Sequence, residues 1–183
     1  PLEVVEHIIE TGPVAGALFP EMALEGVAGR HAIRRGTHQA RAAKAADLVN
    51  GGVGSWIVWC GLNVEQERIG ALLDRSHVSI FGSETEESKV GKLLDFLEGR
   101  AEVLVTKPKI AGFGLNLQRC ADMVFLGLGD SYETYYQAIR RCWRFGQTRP
   151  VTVHVVVSSA ERAVVNNVRG KEARHMEMSD NLL

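Results

Sequence analysis

The segment QAIRRCWRFGQTRP at residues 137–150 contains two arginines three positions apart, Arg141 and Arg144. A helix turns about 100° per residue, so both arginines lie within about 40° of Gln137 and the three side chains form one narrow stripe. Two guanidinium groups one turn apart suit a multiply charged oxyanion such as the γ-phosphate of a nucleotide. The spacing therefore predicts a phosphate-binding stripe. The alternative is a solvated basic face, or arginines paired with carboxylates.

The other side of the same predicted helix is apolar and would hold it against a core. Its large side chains recur at three- and four-residue spacing and are Tyr132, Tyr136, Ile139 and Trp143. We expect the helix to end at Gly146, and Pro150 to prevent its continuation.

A second candidate site is the loop TKPKIAGFGLNLQRCAD at residues 106–122. Gly112, Gly114 and Asn116 occupy alternate positions in it, and Lys109 lies just ahead of them. Glycine permits positive φ and a close approach of the backbone, so such a loop can present N–H groups to a phosphate. The alternative is a plain turn from a strand into a helix.

Five short apolar runs rich in Val, Ile and Phe must position these two segments, at residues 55–60, 77–81, 102–106, 122–126 and 151–157. Continuous apolar character is typical of strands that are buried on both faces. Helical patterns lie between the runs, and this alternation predicts an α/β fold with three layers and a mainly parallel sheet of five to six strands. In such a sheet, ligands bind beyond the carboxyl ends of the strands.

Residues 1–36 are interrupted by Gly and Pro, and they are predicted to form a connector with one short candidate helix over Glu3 to Glu10. Thr37 is expected to cap an alanine-rich helix that ends at Gly51. The domain is then expected to occupy residues 37–158. A last helix from about Ala160 and a polar tail would complete residues 159–183.

The composition of the 183 residues excludes several classes of protein. With 21 basic and 22 acidic residues the chain does not attract nucleic acid by bulk charge, so such binding needs a local patch. Three scattered cysteines argue against a disulfide framework and a zinc knuckle, and they predict a reducing, cytoplasmic setting. No apolar run approaches the ~20 residues of a membrane span, so no membrane partner is predicted.

Taken together, these segments resemble the second RecA-like lobe of superfamily-two helicases and translocases, above all the Swi/Snf-type branch with its phage and prophage relatives. Residues 137–156 resemble that branch's motif six, and the matching positions are Gln137, Arg141, Arg144, Gly146 and Gln147. Residues 109–125 resemble motif five, with matches at Lys109, Gly112, Gly114, Leu115, Asn116, Leu117 and Asp122. Residues 56–73 resemble motif four, and residues 81–99 resemble the segment after it. The sequence departs from the pattern at Ala111, where glycine is usual, and at Lys89, where arginine is commoner.

The resemblance implies that ATP binds between two lobes, of which the first holds the phosphates and Mg²⁺. The chain contains neither a G-x-x-x-x-G-K-[ST] loop nor an acidic box, so a first lobe encoded upstream of Pro1 is the expected partner and the chain alone is expected to be inactive. Arg141 and Arg144 would be arginine fingers, and Gln137 would help to orient them or would contact the phosphate. Coupling of the ATP cleft to a bound strand would fall to Gly112, Gly114, Asn116 and Gln147. The residues expected to contact DNA, with RNA as the alternative, are Thr106, Lys107 and Lys109.

A competing hypothesis is a non-catalytic adaptor that binds nucleic acid or protein through a degenerate lobe of this kind. Its basic stretch would be Arg30 to Lys44, whose cations either contact DNA or form a solvated helix face; they are Arg30, His31, Arg34, Arg35, His38, Arg41 and Lys44. A small-molecule enzyme of another kind is disfavoured, because no Ser-His-Asp, Cys-His or metal-ligand spacing is present.

Overall fold

A computed structural model describes residues 1–10, 27–110, 115–129, 131–161 and 170. The strands are β1 (Leu2–Ile9), β2 (Trp56–Trp59), β3 (His77–Ser79), β4 (Val103–Thr106), β5 (Asp122–Leu126) and β6 (Val151–Ser158). The helices are α1 (Val27–Gly51), α2 (Asn63–Gly70), α3 (Glu86–Leu97) and α4 (Tyr132–Ile139). A single 3₁₀ turn (Ser159–Glu161) follows β6.

The six strands form one parallel sheet in the order β1-β6-β5-β2-β4-β3. Alternate residues of the central strands point to opposite faces, because a strand has a period of two. One face packs against α3 and α4 through Ile57, Trp59, Leu104, Met123 and Phe125. The other packs against α1 and α2 through Trp56, Val58, Val103, Val105 and Val124. The predicted three-layer α/β fold with a parallel sheet is confirmed.

The amino-terminal segment contributes a strand to the sheet, so the helix predicted over Glu3 to Glu10 is wrong. β1 pairs in parallel with β6 along its whole length, from Leu2 opposite Val151 to Ile9 opposite Ser158. Without β1, β6 would present a row of unpaired N–H and C=O groups at the edge of the sheet. This pairing outweighs the weak local helical pattern.

The first helix begins ten residues before the position predicted for it. Thr37 does not cap α1 but lies in its interior, where its Oγ1 donates to the carbonyl of Ile33 at 2.9 Å. The hydroxyl is satisfied one turn back, so it does not compete with the helix. The boundary drawn at residue 36 therefore falls inside α1.

Helix α4 ends at Ile139 and not at Gly146, so Arg141 and Arg144 are not on one continuous helix as the stripe requires. The chain continues as turns with local hydrogen bonds, such as that from the N–H of Trp143 to the carbonyl of Ile139 at 2.9 Å, and partners distant in sequence add to them. The N–H of Leu117 donates to the carbonyl of Arg141 at 3.0 Å. Gly146 has φ of +93°, a conformation that favours glycine.

The helix expected from about Ala160 begins as the 3₁₀ turn, and residues 162–169 and 171–183 lie outside the described residues. None of the helices in the described ranges combines the length and the apolar character that a membrane crossing requires.

Candidate functional site

Two of the three predicted stripe residues line one cleft, together with Lys109 from the loop after β4. This arginine cleft, of about 290 Å³, is bounded by Trp59, Pro108, Lys109, Glu133, Thr134, Gln137, Ala138 and Arg141. Helix α4, the turn after it and the loop after β4 thus present an amide, a guanidinium and an ammonium to one space, beside the carboxylate of Glu133. Three donors of this kind around one space suit an oxyanion.

Helix α4 holds Gln137 toward the arginine cleft because its other side is buried. Ser131 caps the helix, its Oγ accepting from the N–H of Thr134 at 3.2 Å. Tyr135 and Ile139 are buried in the core, and the ring of Tyr135 lies 5.0 Å from that of Phe125. Of the predicted apolar stripe, Ile139 is buried and Tyr132 packs against the core, but Tyr136 is only half-buried and its neighbour Tyr135 takes the buried position.

Arg144 is not among the residues that line the arginine cleft; it is exposed on the turn after α4. The backbone of that turn is held from two sides. The carbonyl of Arg144 accepts from the N–H of Gln147 at 3.0 Å, and Gln118 Nε2 donates to the carbonyl of Phe145 at 2.5 Å. Arg141 therefore lines the cleft and Arg144 does not, although helical spacing predicts that both lie on one stripe.

The amide of Gln147 is occupied by the main chain. Its Nε2 donates to the carbonyls of Gln118 at 2.9 Å, Cys120 at 3.1 Å and Cys142 at 3.3 Å. Its Oε1 accepts from the N–H of Arg149 at 3.2 Å. We call residues 140–146 the arginine turn. Gln147 thus fixes the arginine turn to the segment before β5.

Asn116 reaches the same turn through one intermediate residue. Its Oδ1 accepts from the N–H of Gln118 and its Nδ2 donates to Gln118 Oε1, both at 3.1 Å, while Gln118 holds the carbonyl of Phe145. Gly112 and Gly114, the other predicted members of the glycine loop, lie outside the described residues.

A second cavity, of about 360 Å³, adjoins the arginine cleft and shares Trp59, Pro108, Lys109 and Thr134 with it. We call it the basic cavity, because Arg34, Lys107 and Lys109 line it. It lies beyond the carboxyl ends of β2, β4 and β5, where an open parallel sheet binds ligands. Two of the three residues predicted to contact nucleic acid, Lys107 and Lys109, therefore share a cavity.

Thr106, the third residue predicted to contact nucleic acid, does not line the basic cavity. Its side chain is buried and its Oγ1 donates to the carbonyl of Ile80 at 3.3 Å. It lines a separate apolar groove of about 230 Å³ beside α3, with Val90, Leu93 and Leu115 among its neighbours.

A buried ion network, which the sequence analysis does not predict, lies behind the basic cavity. Arg41 is fully buried, and its Nη1 lies 2.8 Å from Glu65 Oε1 and 2.7 Å from the carbonyl of Leu126, which accepts a hydrogen bond. Its Nε lies 3.6 Å from Glu161 Oε2. Arg34 is the second cation of this network. Neither interpretation of the basic stretch, DNA contact or solvated face, therefore describes Arg41.

One signal in the sequence could have found this network. Arg41 is in phase with Ala45 and Val49, both fully buried, at four-residue spacing along α1. An arginine on a buried stripe needs a carboxylate partner, since a buried charge is costly unless it is paired. Its partners Glu65 and Glu161 lie on α2 and after β6, and local spacing does not reveal them.

The electrostatics of the basic cavity act on Cys60, which is buried and lines it. Burial raises the pKa of the Cys60 thiol well above its usual value, and Glu65 raises it further; Arg41, Lys107 and Arg34 act in the opposite sense. Burial also raises the pKa of Cys120, which lies beside Cys142. Both groups are thus neutral thiols of the core. Among the described residues no group of three His, Cys, Asp or Glu side chains could hold a metal ion.

The sequence matches the model of a known protein family. The sequence model described as "Helicase conserved C-terminal domain" matches residues 53–146, which is just over half of the chain. The matched range runs from just before β2 to the end of the arginine turn, and it contains both cleft-forming segments.

Curated relatives match over the same half of the chain. The DEAD-box ATP-dependent RNA helicase 56 of Oryza sativa subsp. japonica is 27% identical over 92 residues, and the DEAD-box ATP-dependent RNA helicase 15 of Arabidopsis thaliana is 26% identical over 92 residues. Each alignment covers 50% of this chain and 21% of the relative. The chain thus spans about a fifth of the length of these relatives.

Solved structures share the fold. The C-terminal domain of the DEAD-box protein Dbp5 superposes with a TM-score of 0.61 at 17% identity, covering 74% of this chain and 78% of that one. The C-terminal part of the Fun30 ATPase domain gives 0.58 at 17% identity, covering 63% and 39%. Both likenesses establish the architecture, and neither selects a branch of the family.

Proposed function

The chain belongs to the family of helicase conserved C-terminal domains, and on this basis we propose that it is the second lobe of an ATP-dependent nucleic-acid translocase. One observation carries the proposal. Gln137, Arg141 and Lys109, from two segments that resemble helicase motifs, line one cleft at the carboxyl edge of the sheet. A cleft with these donors suits the γ-phosphate of ATP, which a first lobe would hold.

In this proposal Arg141 and Arg144 have different roles. Arg141 lines the cleft, so we assign it to direct contact with the phosphate. Arg144 is exposed on a turn whose backbone is held by hydrogen bonds, so its side chain is accessible to a lobe that packs against that turn. We assign it to ATP held on the opposite lobe. An arginine finger contributes roughly 10³–10⁵ in turnover by stabilising the charge of phosphoryl transfer.

The remaining chemistry would come from the first lobe. Mg²⁺ held there would neutralise charge on the β- and γ-phosphates. This chain's own residues would orient the phosphate: Gln137 by its amide, Arg141 by its guanidinium, and Gln147 by fixing the turn that carries Arg144. Closure of the two lobes around ATP would be the step that moves a bound strand.

The basic cavity is the proposed track for nucleic acid. Lys107 and Lys109 would contact backbone phosphates, which position a strand without reading its sequence. The Swi/Snf-like motifs five and six favour duplex DNA as the substrate. The similarity to DEAD-box RNA helicases favours RNA as the second candidate.

The test is ATP hydrolysis by a protein that contains both lobes, with duplex DNA, with single-stranded RNA and with neither. We expect turnover to be stimulated by one nucleic acid and lost, by roughly 10³ or more, in Arg141→Ala and Arg144→Ala, with ATP binding retained. Arg140→Ala is the matched control, because Arg140 is exposed, lies 5.5 Å from the Trp143 ring and does not line the cleft.

Unchanged turnover in both arginine variants would overturn the assignment of the fingers. Absence of turnover with every nucleic acid would favour a non-catalytic adaptor instead. The 183-residue chain alone is expected to show no Mg²⁺-dependent hydrolysis, since no phosphate loop is present in its sequence.

A further inference from the structure

Arg34 of α1 belongs to the buried ion network but is poorly satisfied within it. Its Nη2 lies 3.7 Å from Glu65 Oε1 and its Nε lies 3.7 Å from Glu161 Oε1, both longer than a hydrogen bond. Among the described residues, its guanidinium donates one hydrogen bond, from Nη2 to the carbonyl of Leu126 at 3.3 Å. Its Nε is buried and has no hydrogen-bond partner among the described residues. Arg41, by contrast, lies 2.8 Å from Glu65.

The guanidinium of Arg34 fits there because two glycines leave room for it. A Cβ added to Gly61 would collide with Arg34 Nη2. A Cβ on Gly127 would lie 3.3 Å from Arg34 Nε, and Gly127 has φ of +80°. Both glycines and Arg34 line the basic cavity, and 12% of the Arg34 side chain is exposed. Arg34 therefore forms part of the wall of the cavity, and a small part of its side chain remains exposed.

The charge around the basic cavity is positive. Within the network the two arginines balance Glu65 and Glu161, and this neutral set forms the back wall. Lys107 and Lys109 then add two uncompensated cations from the loop after β4, since neither makes an ion pair in the part of the chain that the structure describes.

We propose that Arg34 is a phosphate-binding residue of the basic cavity, where it joins Lys107 and Lys109 in contacting the backbone of a nucleic-acid strand. The inference rests on the proposed function, and it adds a residue from α1, outside the range that the family model matches. A bound phosphate would accept from the part of the guanidinium that remains exposed in the cavity wall, whose own ion-pair partners are 3.7 Å away. Guanidinium groups suit this part because their planar donors match phosphate oxygens.

The experiment measures binding of a fluorescent oligonucleotide to the 183-residue chain by anisotropy over a series of salt concentrations. Each phosphate contact contributes about 0.7 to the slope of log affinity against log salt for a single strand, and about 0.9 for a duplex. We expect Arg34→Gln to reduce the slope by about that amount and Arg34→Lys to keep it. A loss of stability alone lowers the active fraction of protein and leaves the slope unchanged.

Two further variants sharpen the test. Arg35→Gln is the matched control, because Arg35 is the next residue of α1, is exposed and does not line the cavity. It is expected to keep the slope of the unaltered chain. Gly61→Ala keeps the net charge but would displace the Arg34 guanidinium, and it is expected to weaken binding.

The outcomes are distinct. If Arg34→Gln keeps the salt dependence of binding, as Arg35→Gln does, while Lys109→Gln reduces it, Arg34 is not a phosphate ligand. The proposed nucleic-acid track is then retained. If the unaltered chain shows no salt-dependent binding, both the track and the inference fail. If Arg34→Gln abolishes binding of a labelled ATP analogue and leaves oligonucleotide binding unchanged, the phosphate at Arg34 is that of a nucleotide, and the assignment to a strand is overturned.

Discussion

At the scale of the residue, the side chain of Gln147 joins segments that are 29 positions apart in the chain. The motif resemblance associates this glutamine with the ATP cleft. In the structure its amide donates to three carbonyls and accepts from the N–H of Arg149. Any influence on ATP would pass through the position of the arginine turn, so Gln147 is a positioning residue in our proposal.

Replacing Gln147 with leucine removes these hydrogen bonds with little change of volume. We expect the free energy of unfolding to fall by about 1–3 kcal/mol, because carbonyls of Gln118, Cys120 and Cys142 lose their donor. Denaturant unfolding of the purified chain measures this. Gln39→Leu on the exposed side of α1 is the control, with an expected change within about 0.5 kcal/mol. Equal stability of the two variants would contradict the positioning role.

At the scale of the element, β1 is joined to β6 by its backbone and by a pair of histidines. His7 Nε2 lies 3.0 Å from His154 Nδ1, and the ring of His154 stacks on Trp56 with 5.5 Å between centroids. One ring must be neutral and accept for this contact to be a hydrogen bond. Burial lowers the pKa of both histidines; His154 and Lys44 lower that of His7 further, while Glu3 opposes the shift at His154.

These pKa shifts make the attachment of β1 sensitive to acid. A histidine whose pKa is lower in the folded than in the unfolded state contributes stability above its unfolded value of 6.5, and this contribution is lost as the pH falls below it. We expect the free energy of unfolding to decrease from pH 7 to pH 5. His154→Phe keeps a ring against Trp56 but cannot be protonated, so it should flatten the profile. If the free energy of unfolding of this variant still decreases equally from pH 7 to pH 5, protonation of the histidine pair is not the cause of the acid sensitivity.

The third helix illustrates an element whose beginning follows from local sequence. Thr85 caps α3 by accepting from the N–H of Ser88 at 3.3 Å, as expected of a threonine ahead of an apolar stripe. The predicted start of α1 and the predicted end of α4 are wrong. The hydroxyl of Thr37 donates to a carbonyl within its own helix and so does not cap it. The carbonyls of Arg141 and Cys142 accept hydrogen bonds from Leu117 and Gln147, and α4 ends before them.

At the scale of the whole molecule, the buried ion network connects four parts of the fold. Arg41 of α1 contacts Glu65 at the start of α2, the carbonyl at the end of β5, and Glu161 after β6. Glu65 also accepts from the N–H groups of Gly61 and Leu62 at 2.7 and 2.9 Å. The walls of the basic cavity are therefore held by the same charges that attach α1 to the sheet.

We expect Arg41→Met to lower the free energy of unfolding by about 3–5 kcal/mol, because it leaves two buried carboxylates with one poorly placed cation. Urea or thermal unfolding measures the loss. Arg35→Met removes an exposed arginine from the same helix, and its effect should stay within about 0.5 kcal/mol. A loss of similar size in both variants would mean that the network does not stabilise the fold.

The amino-acid sequence was sufficient to predict the parallel sheet and the segments that form the cleft. Strands buried on both faces, such as Trp56–Trp59 and Val103–Thr106, consist of continuous apolar residues, so the sequence pattern identifies them. Lys109 follows β4 and so lies beyond the carboxyl end of a strand, whereas Gln137 and Arg141 reach the cleft from α4 and the turn after it. Their residue types and spacing are therefore enough to match them to a chemistry.

Tertiary contacts, by contrast, determine the strand at Leu2–Ile9, the end of α4, the separation of Arg144 from the cleft and the burial of Arg41. In each case the deciding partner is distant in sequence: β6 for β1, Leu117 for Arg141, and Glu65 and Glu161 for Arg41. Local propensities differ by only about 1 kcal/mol per residue, and a ladder of sheet hydrogen bonds or a buried ion pair outweighs them. Such partners become neighbours only when the sheet has formed.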